Sequence, residues 1–114
     1  KMTFMQIQNA DGKYVSPDDL TFAAAAASAD WFSVPGMGVS MVNAKGANSW
    51  PVSTASFILM YKNPADKAAS AEALKFFDWS FKNGKKMAAD LDYVALPDSL
   101  TDQIRAKVWS QIQK

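Results

Sequence analysis

The sequence predicts an α/β fold, and two observations carry that prediction. The run TASFILMYK (Thr54 to Lys62) is apolar through its centre, the pattern of a strand buried on both faces. Helical patterns follow it and a segment broken by glycine and proline precedes it, so strand and helix alternate along the chain.

The elements are read in chain order. TFMQIQ (Thr3 to Gln8) has Phe4, Met5 and Ile7 apolar among polar residues, and reads as a half-buried strand or helix end. Asp11-Gly12 supplies the positive φ of a tight turn, which predicts that Tyr14 and Val15 return as a partner strand. SPDD then opens a helix from about Pro17 to Ala29. Ser16 is its cap, Pro17 takes the first helical position, and Asp18 and Asp19 favour the positive end of the dipole. The alanines Ala23 to Ala27 add helix propensity and permit close packing.

Between Val34 and Ser53, Pro35, Gly36, Gly38, Gly46 and Pro51 punctuate short apolar pieces, which predicts loop with at most one or two short strands. The buried strand is expected at Ser56 to Tyr61. Asn63 caps and Pro64 opens the next helix, which runs to Asn83 and stops at Gly84. Its inner face is Ala71, Leu74, Phe77 and Phe81. Met87, Ala88 and Leu91 predict a short further helix. Pro97 and Asp98 start a last one, Asp98 to Gln111, with the apolar stripe Leu100, Ile104, Val108 and Ile112. There is no internal repeat.

Composition narrows the function. A chain of 114 residues, 49% apolar and 20% charged, is long enough for one core and too apolar for disorder. Twelve Lys and Arg against eleven Asp and Glu leave a net charge of +1, which gives no reason to favour nucleic acid or an anionic membrane. The absence of Cys leaves the redox compartment open. No apolar run approaches the roughly 20 residues of a membrane-spanning helix. No signal-peptide pattern opens the chain, and Lys1-Met2 is not a natural start, so the expectation is a piece of a longer protein.

Without His or Cys, the common zinc sites and His-based triads have no members here, and no cofactor is implied. PGMG and AKGANS lack the Gly-Lys-Ser/Thr ending of a phosphate loop and read as flexible loop glycine. Asp90 and Asp92 resemble a carboxylate pair for glycoside hydrolysis, but residues two apart on a helix do not face each other. Lys82, Lys85 and Lys86 beside Phe81 resemble a basic patch; lysine is also what a helix C-terminus favours. Trp31, Trp50, Trp79 and Trp109 suit sugar stacking, or the commoner role of bulky packing.

One resemblance spans nearly the whole chain. ADGKYVSP (Ala10 to Pro17), ADW (Ala29 to Trp31), WPVSTASFILMYK (Trp50 to Lys62) and ALKFFDWSFKNGKKMAADLDYVALPDSLTDQIRAKVW (Ala73 to Trp109) occur in this order. Together they closely resemble the C-terminal portion of the periplasmic phosphate-binding proteins of the phosphate ABC transporter. The match is weakest between Phe32 and Ser49.

That resemblance implies a periplasmic binding protein-like, two-lobed, hinged fold that closes on one phosphate and delivers it to a membrane permease, without catalysis. It implies that residues 1–52 end lobe two and residues 53–114 end lobe one. The crossing residues Pro51, Val52, Ser53 and Thr54 are then the hinge candidates. The family's anion site uses a Gly-rich loop, a Ser at a helix start, a proton-accepting Asp and an Arg-x-Asp-Gly-Ser-Gly-Thr segment from the first half of the full chain. None of these occurs here. The single Arg, Arg105, falls inside the last helix, so no ligand residue is expected in this chain. The expected partners are phosphate in the full-length protein, the inner-membrane permease and the remaining N-terminal portion. Two other classes stay open: a stand-alone helical interaction module using the Leu100 to Ile112 stripe, and a carbohydrate-binding fragment using the tryptophans.

Overall fold

A two-residue pairing begins the fold. In the computed structural model, which describes residues 3–113, β1 (Ile7–Gln8) and β2 (Tyr14–Val15) pair antiparallel, Ile7 opposite Val15 and Gln8 opposite Tyr14. The Lys1-Met2 opening lies outside the described residues. Gly12 takes a φ of 75°, the left-handed geometry that the Asp11-Gly12 reading required. The Asn9 amide donates to the Lys13 carbonyl and the Gly12 amide to the Asn9 carbonyl, both at 2.9 Å, which closes the turn.

α1 (Asp19–Ser28) begins two residues later than the sequence suggested. The cap is Asp18 rather than Ser16: Asp18 Oδ1 accepts from the Thr21 amide at 2.9 Å, and Thr21 Oγ1 accepts from the Asp18 amide at 3.2 Å. This reciprocal pair satisfies two otherwise orphaned donors, which a lone Ser16 hydroxyl would not. Ala25 and Ala26 are buried, and Trp31 reaches back under the helix end, its Nε1 donating to the Ala26 carbonyl at 2.7 Å. The Trp50 amide donates to the Thr21 carbonyl at 3.0 Å, and the Trp50 ring meets Phe22 edge-on at 6.0 Å. Val15, Ala25, Ala26, Trp31, Met41 and Trp50 form the apolar interior here. The punctuated region from Val34 to Ser53 is loop, with a single 3-10 turn at Pro35–Met37.

The chain divides between Ser56 and Phe57 into two compact units. The second is helical: α2 (Lys67–Asn83), α3 (Lys85–Asp90) and α4 (Asp98–Lys107), with a 3-10 turn at Trp109–Gln111. Asp66, not Asn63, caps α2, its Oδ1 accepting from the Ala69 amide at 2.9 Å, so Pro64 lies ahead of the helix. Again a carboxylate near the helix start displaces the weaker candidate upstream.

α2 stops at Gly84 as expected, but not through a left-handed cap. Gly84 has φ −83° and donates to the Ser80 carbonyl at 2.8 Å, and a Cβ added there would stand 2.6 Å from that oxygen. Only glycine admits this approach, and α3 starts at the next residue.

Of the inner-face residues of α2, Leu74 is buried and Ala71, Phe77 and Phe81 are half-buried. Phe81 stacks on Trp109 with centroids 5.6 Å apart and an interplanar angle of 7°. Leu100 and Ile112 are buried and Ile104 and Val108 half-buried, so the predicted stripe exists. The last helix leaves the α form at Val108, however, instead of continuing to Gln111.

The predicted strand at Ser56 to Tyr61 is the main correction. None of its residues is in a strand, and Ile58, Leu59 and Tyr61 are exposed. An apolar run becomes a buried strand only when neighbouring strands pair with it and layers cover it. Among the described residues nothing pairs with Ile58 to Tyr61; the nearest ladder-like bond is Gln113 N–H to the Lys62 carbonyl at 2.8 Å. The structure thus holds helices and one two-stranded sheet, without a layered α/β arrangement among the described residues.

Candidate functional site

The crossing residues form the first candidate. Burial alternates along them: Pro51 and Ser53 are buried, Val52 and Thr54 exposed, the period-two pattern of an extended chain on a surface. The Pro51 carbonyl accepts from the Asn43 amide at 2.8 Å, and Ser53 Oγ donates to the Trp50 carbonyl at 3.1 Å. Pro51 and Ser53 are thus fixed to the first unit.

Asn9, which the sequence reading passed over, is the polar centre of that unit. It is buried, its Oδ1 accepts from the amides of Asp11 and Lys13, and its Nδ2 donates to the carbonyls of Gly46, Ala47 and Ser49 at 3.1, 2.9 and 3.2 Å. The hairpin is thereby bound to the loop that leads into Trp50.

The two helix starts that the sequence offered to an anion, at Ser16 and Asn63, are closed. Both long-helix starts in question already carry a carboxylate, Asp18 on α1 and Asp66 on α2, bonded to the amides an anion would use. Arg105 is committed elsewhere: its Nε donates to Asp78 Oδ1 at 2.7 Å, its Nη1 to Asp102 Oδ1 at 2.7 Å, and its guanidinium lies 5.7 Å from the Phe81 centroid. Hydrogen bonds from Lys82 and then Arg105 hold the Asp78 carboxyl below its usual range, and Asp78 raises Arg105 in turn.

The lysine patch is likewise neutralised. Lys82 pairs with Asp78, Lys85 with Asp98 at 2.6 Å, and Lys86 with Asp90 at 2.8 Å. Asp90 is therefore an ion-pair partner, while Asp92 takes φ 60° in the following turn. Among the described residues no group of three or more His, Cys, Asp or Glu side chains is arranged for a metal ion, and no helix is long and apolar enough to cross a membrane.

Trp31 and Trp50 are buried and Trp109 is stacked on Phe81, leaving Trp79, 49% exposed, to face solvent. Trp79 lines an open apolar groove with Phe76, Phe81, Met87 and Leu96. Lys82, Lys85, Lys86 and Arg105 thus have carboxylate partners within the second unit, whose surface also exposes Phe76, Trp79, Met87 and Leu91.

The chain is 41% identical over 113 residues to the phosphate-binding protein PstS of Pasteurella multocida, covering 99% of this chain and 33% of the relative. It is a stretch of PstS-family sequence. A Xylella fastidiosa PstS is 44% identical over 106 residues, 93% of this chain and 29% of the relative. The Haemophilus influenzae PstS is 35% identical over 114 residues, 100% of this chain and 34% of the relative. The chain therefore spans about a third of the length of the curated PstS relatives it matches. No family model matches it.

Proposed function

We propose that this PstS-type chain is the closing part of a periplasmic solute-binding protein that captures inorganic phosphate for uptake by an ABC transporter. In that protein it supplies scaffold and hinge rather than ligand donors. The observation that carries the reading is identity of 35% to 44% over nearly the whole chain to proteins named for phosphate binding. The protein is a binder and not an enzyme. Its partners are phosphate, the inner-membrane permease and the remaining N-terminal portion of the same protein.

Residues 1–52 belong to the end of lobe two and residues 53–114 to the end of lobe one of a two-lobed α/β fold. The division between Ser56 and Phe57 supports a boundary in this region. Pro51, Val52, Ser53 and Thr54 act as the hinge strand, and the bonds of Pro51 and Ser53 support a fixed point on the side of the first unit.

The decisive experiment is a graft. This chain replaces the matching third of the Pasteurella multocida PstS, and phosphate is titrated into the folded chimera by calorimetry. One phosphate per chain, at the affinity of the unmodified relative within about tenfold, is the expected result. A folded chimera that binds no phosphate would falsify the reading.

A further inference from the structure

Asn83-Gly84, at the junction of α2 and α3, is the one place in the sequence where glycine follows asparagine; Asn9, Asn43, Asn48 and Asn63 precede Ala, Ala, Ser and Pro. In such a pair the backbone nitrogen of glycine can attack the asparagine side-chain carbonyl, and no Cβ hinders its approach. The structure restrains both reacting groups. The Gly84 amide donates to the Ser80 carbonyl at 2.8 Å, and Asn83 Nδ2 donates to the Trp79 carbonyl at 3.0 Å. The side chain is thereby turned back along α2, away from the nitrogen that would attack it. Asn83 is exposed, so water reaches it. Every partner lies between Trp79 and Gly84, so the restraint belongs to α2 itself, whatever else packs on the chain.

We propose that Asn83 is a deamidation site whose rate is set by the opening of the last turn of α2. When that turn opens, the Gly84 amide is released, loses its proton to solvent hydroxide and bonds to Asn83 Cγ. The Cγ–Nδ2 bond breaks, and Nδ2 leaves as ammonia with a proton from water. A cyclic imide then joins the two residues. Water adds to either of its carbonyls: one opening gives aspartate, the other isoaspartate, whose backbone runs through the former side chain. No group is oxidised or reduced.

Either product acts back on the structure. The new carboxylate stands at the C-terminal end of α2, where the helix dipole disfavours negative charge, and it has no hydrogen to donate to the Trp79 carbonyl. Isoaspartate also adds a carbon to the backbone beside Gly84 and displaces the amide that bonds Ser80. The reaction therefore loosens the α2–α3 junction irreversibly. This inference is independent of phosphate binding.

Peptide mass mapping of the 114-residue chain, held at mildly alkaline pH with and without denaturing guanidinium chloride, tests it. In denaturant Asn83 is expected to convert ahead of the other asparagines and to give both aspartate and isoaspartate. In native buffer its conversion is slower by about tenfold or more, because two hydrogen bonds must open first. Ser80→Gly weakens the last turn of α2 and leaves the reacting pair intact. It speeds native conversion about threefold or more, with helical circular dichroism retained. Asn83→Gln removes the conversion. Equal rates in the two buffers overturn the proposal. So does earlier conversion of another asparagine in denaturant, a product without isoaspartate, or a Ser80→Gly chain that converts no faster.

Discussion

Asn9 holds three carbonyls from residues 46, 47 and 49 with one amide nitrogen while its oxygen closes its own turn. Its removal strands buried acceptors and donors together. Asn9→Ala is expected to destabilise the chain by about 2 kcal/mol or more, read from urea unfolding. Asn9→Asp should be no better, since a carboxylate would face those same carbonyl oxygens. The turn-forming half of this role is legible, because Asn ahead of Asp11-Gly12 is a common turn signal. The other half reaches forty positions along the chain, a distance over which periodicity and turn chemistry carry no information. Asp78 makes a second residue-scale prediction. Its carboxyl titrates below the ordinary value of 3.8 because Lys82 and Arg105 favour the charged form. A depressed carboxylate stabilises the fold fully above its unfolded pKa, and that contribution is lost as pH falls through the lower folded value. Between neutral pH and about 4 the wild type and Asp78→Asn should therefore keep a constant difference in stability. Below that the difference shrinks, in acid titrations followed by circular dichroism.

At the scale of elements, both long-helix starts were expected close to where they are, with the cap assigned to the wrong residue. Ser16 and Asp18, and Asn63 and Asp66, are pairs of capping residues within one turn of each other, and proline stands inside each pair. The proline suggested an early start; the carboxylates win because a charged acceptor bonds the amides more strongly. Asp18→Ala and Asp66→Ala should each cost about 1 kcal/mol in thermal unfolding, whereas Ser16→Ala and Asn63→Ala should stay within about 0.5 kcal/mol. Hairpin, short α3 and the Leu100 to Ile112 stripe were legible because their signals are local. The Ser56 to Tyr61 strand was not recoverable as an element of this chain, because a strand is a relation between segments and its pattern specifies only one of them.

For the whole molecule, the relevant contrast is between satisfied polar groups and unsatisfied apolar area. A phosphate dianion taken out of water needs several fixed donors at one point. Arg105 is spent on Asp78 and Asp102, and the starts of α1 and α2 present carboxylates that repel the ligand. Calorimetric titration of phosphate into the isolated chain should give no stoichiometric site tighter than about millimolar. A micromolar site would mean that donors converge where the structure shows none. The absence of ligand residues could be read from the sequence through the missing arginine-containing segment. The commitment of Arg105 could not, since the ion pair spans 27 positions and depends on how α2 and α4 pack.

The distribution of tryptophans has a practical consequence. Trp31 and Trp50 are 5% and 7% exposed in the first unit, whereas the second contains Trp79, 49% exposed, and Trp109 stacked on Phe81. Indole emission shifts to shorter wavelength when the ring is dry, so the chain carries a two-colour optical label without any dye. The red edge of its fluorescence reports Trp79 in the second unit, and the blue edge reports Trp31 and Trp50 together with the stacked Trp109. A polar quencher such as acrylamide should extinguish the red component first. With Trp109→Phe, a denaturation experiment that resolves the spectrum can then follow the loosening of each half separately, in one cuvette.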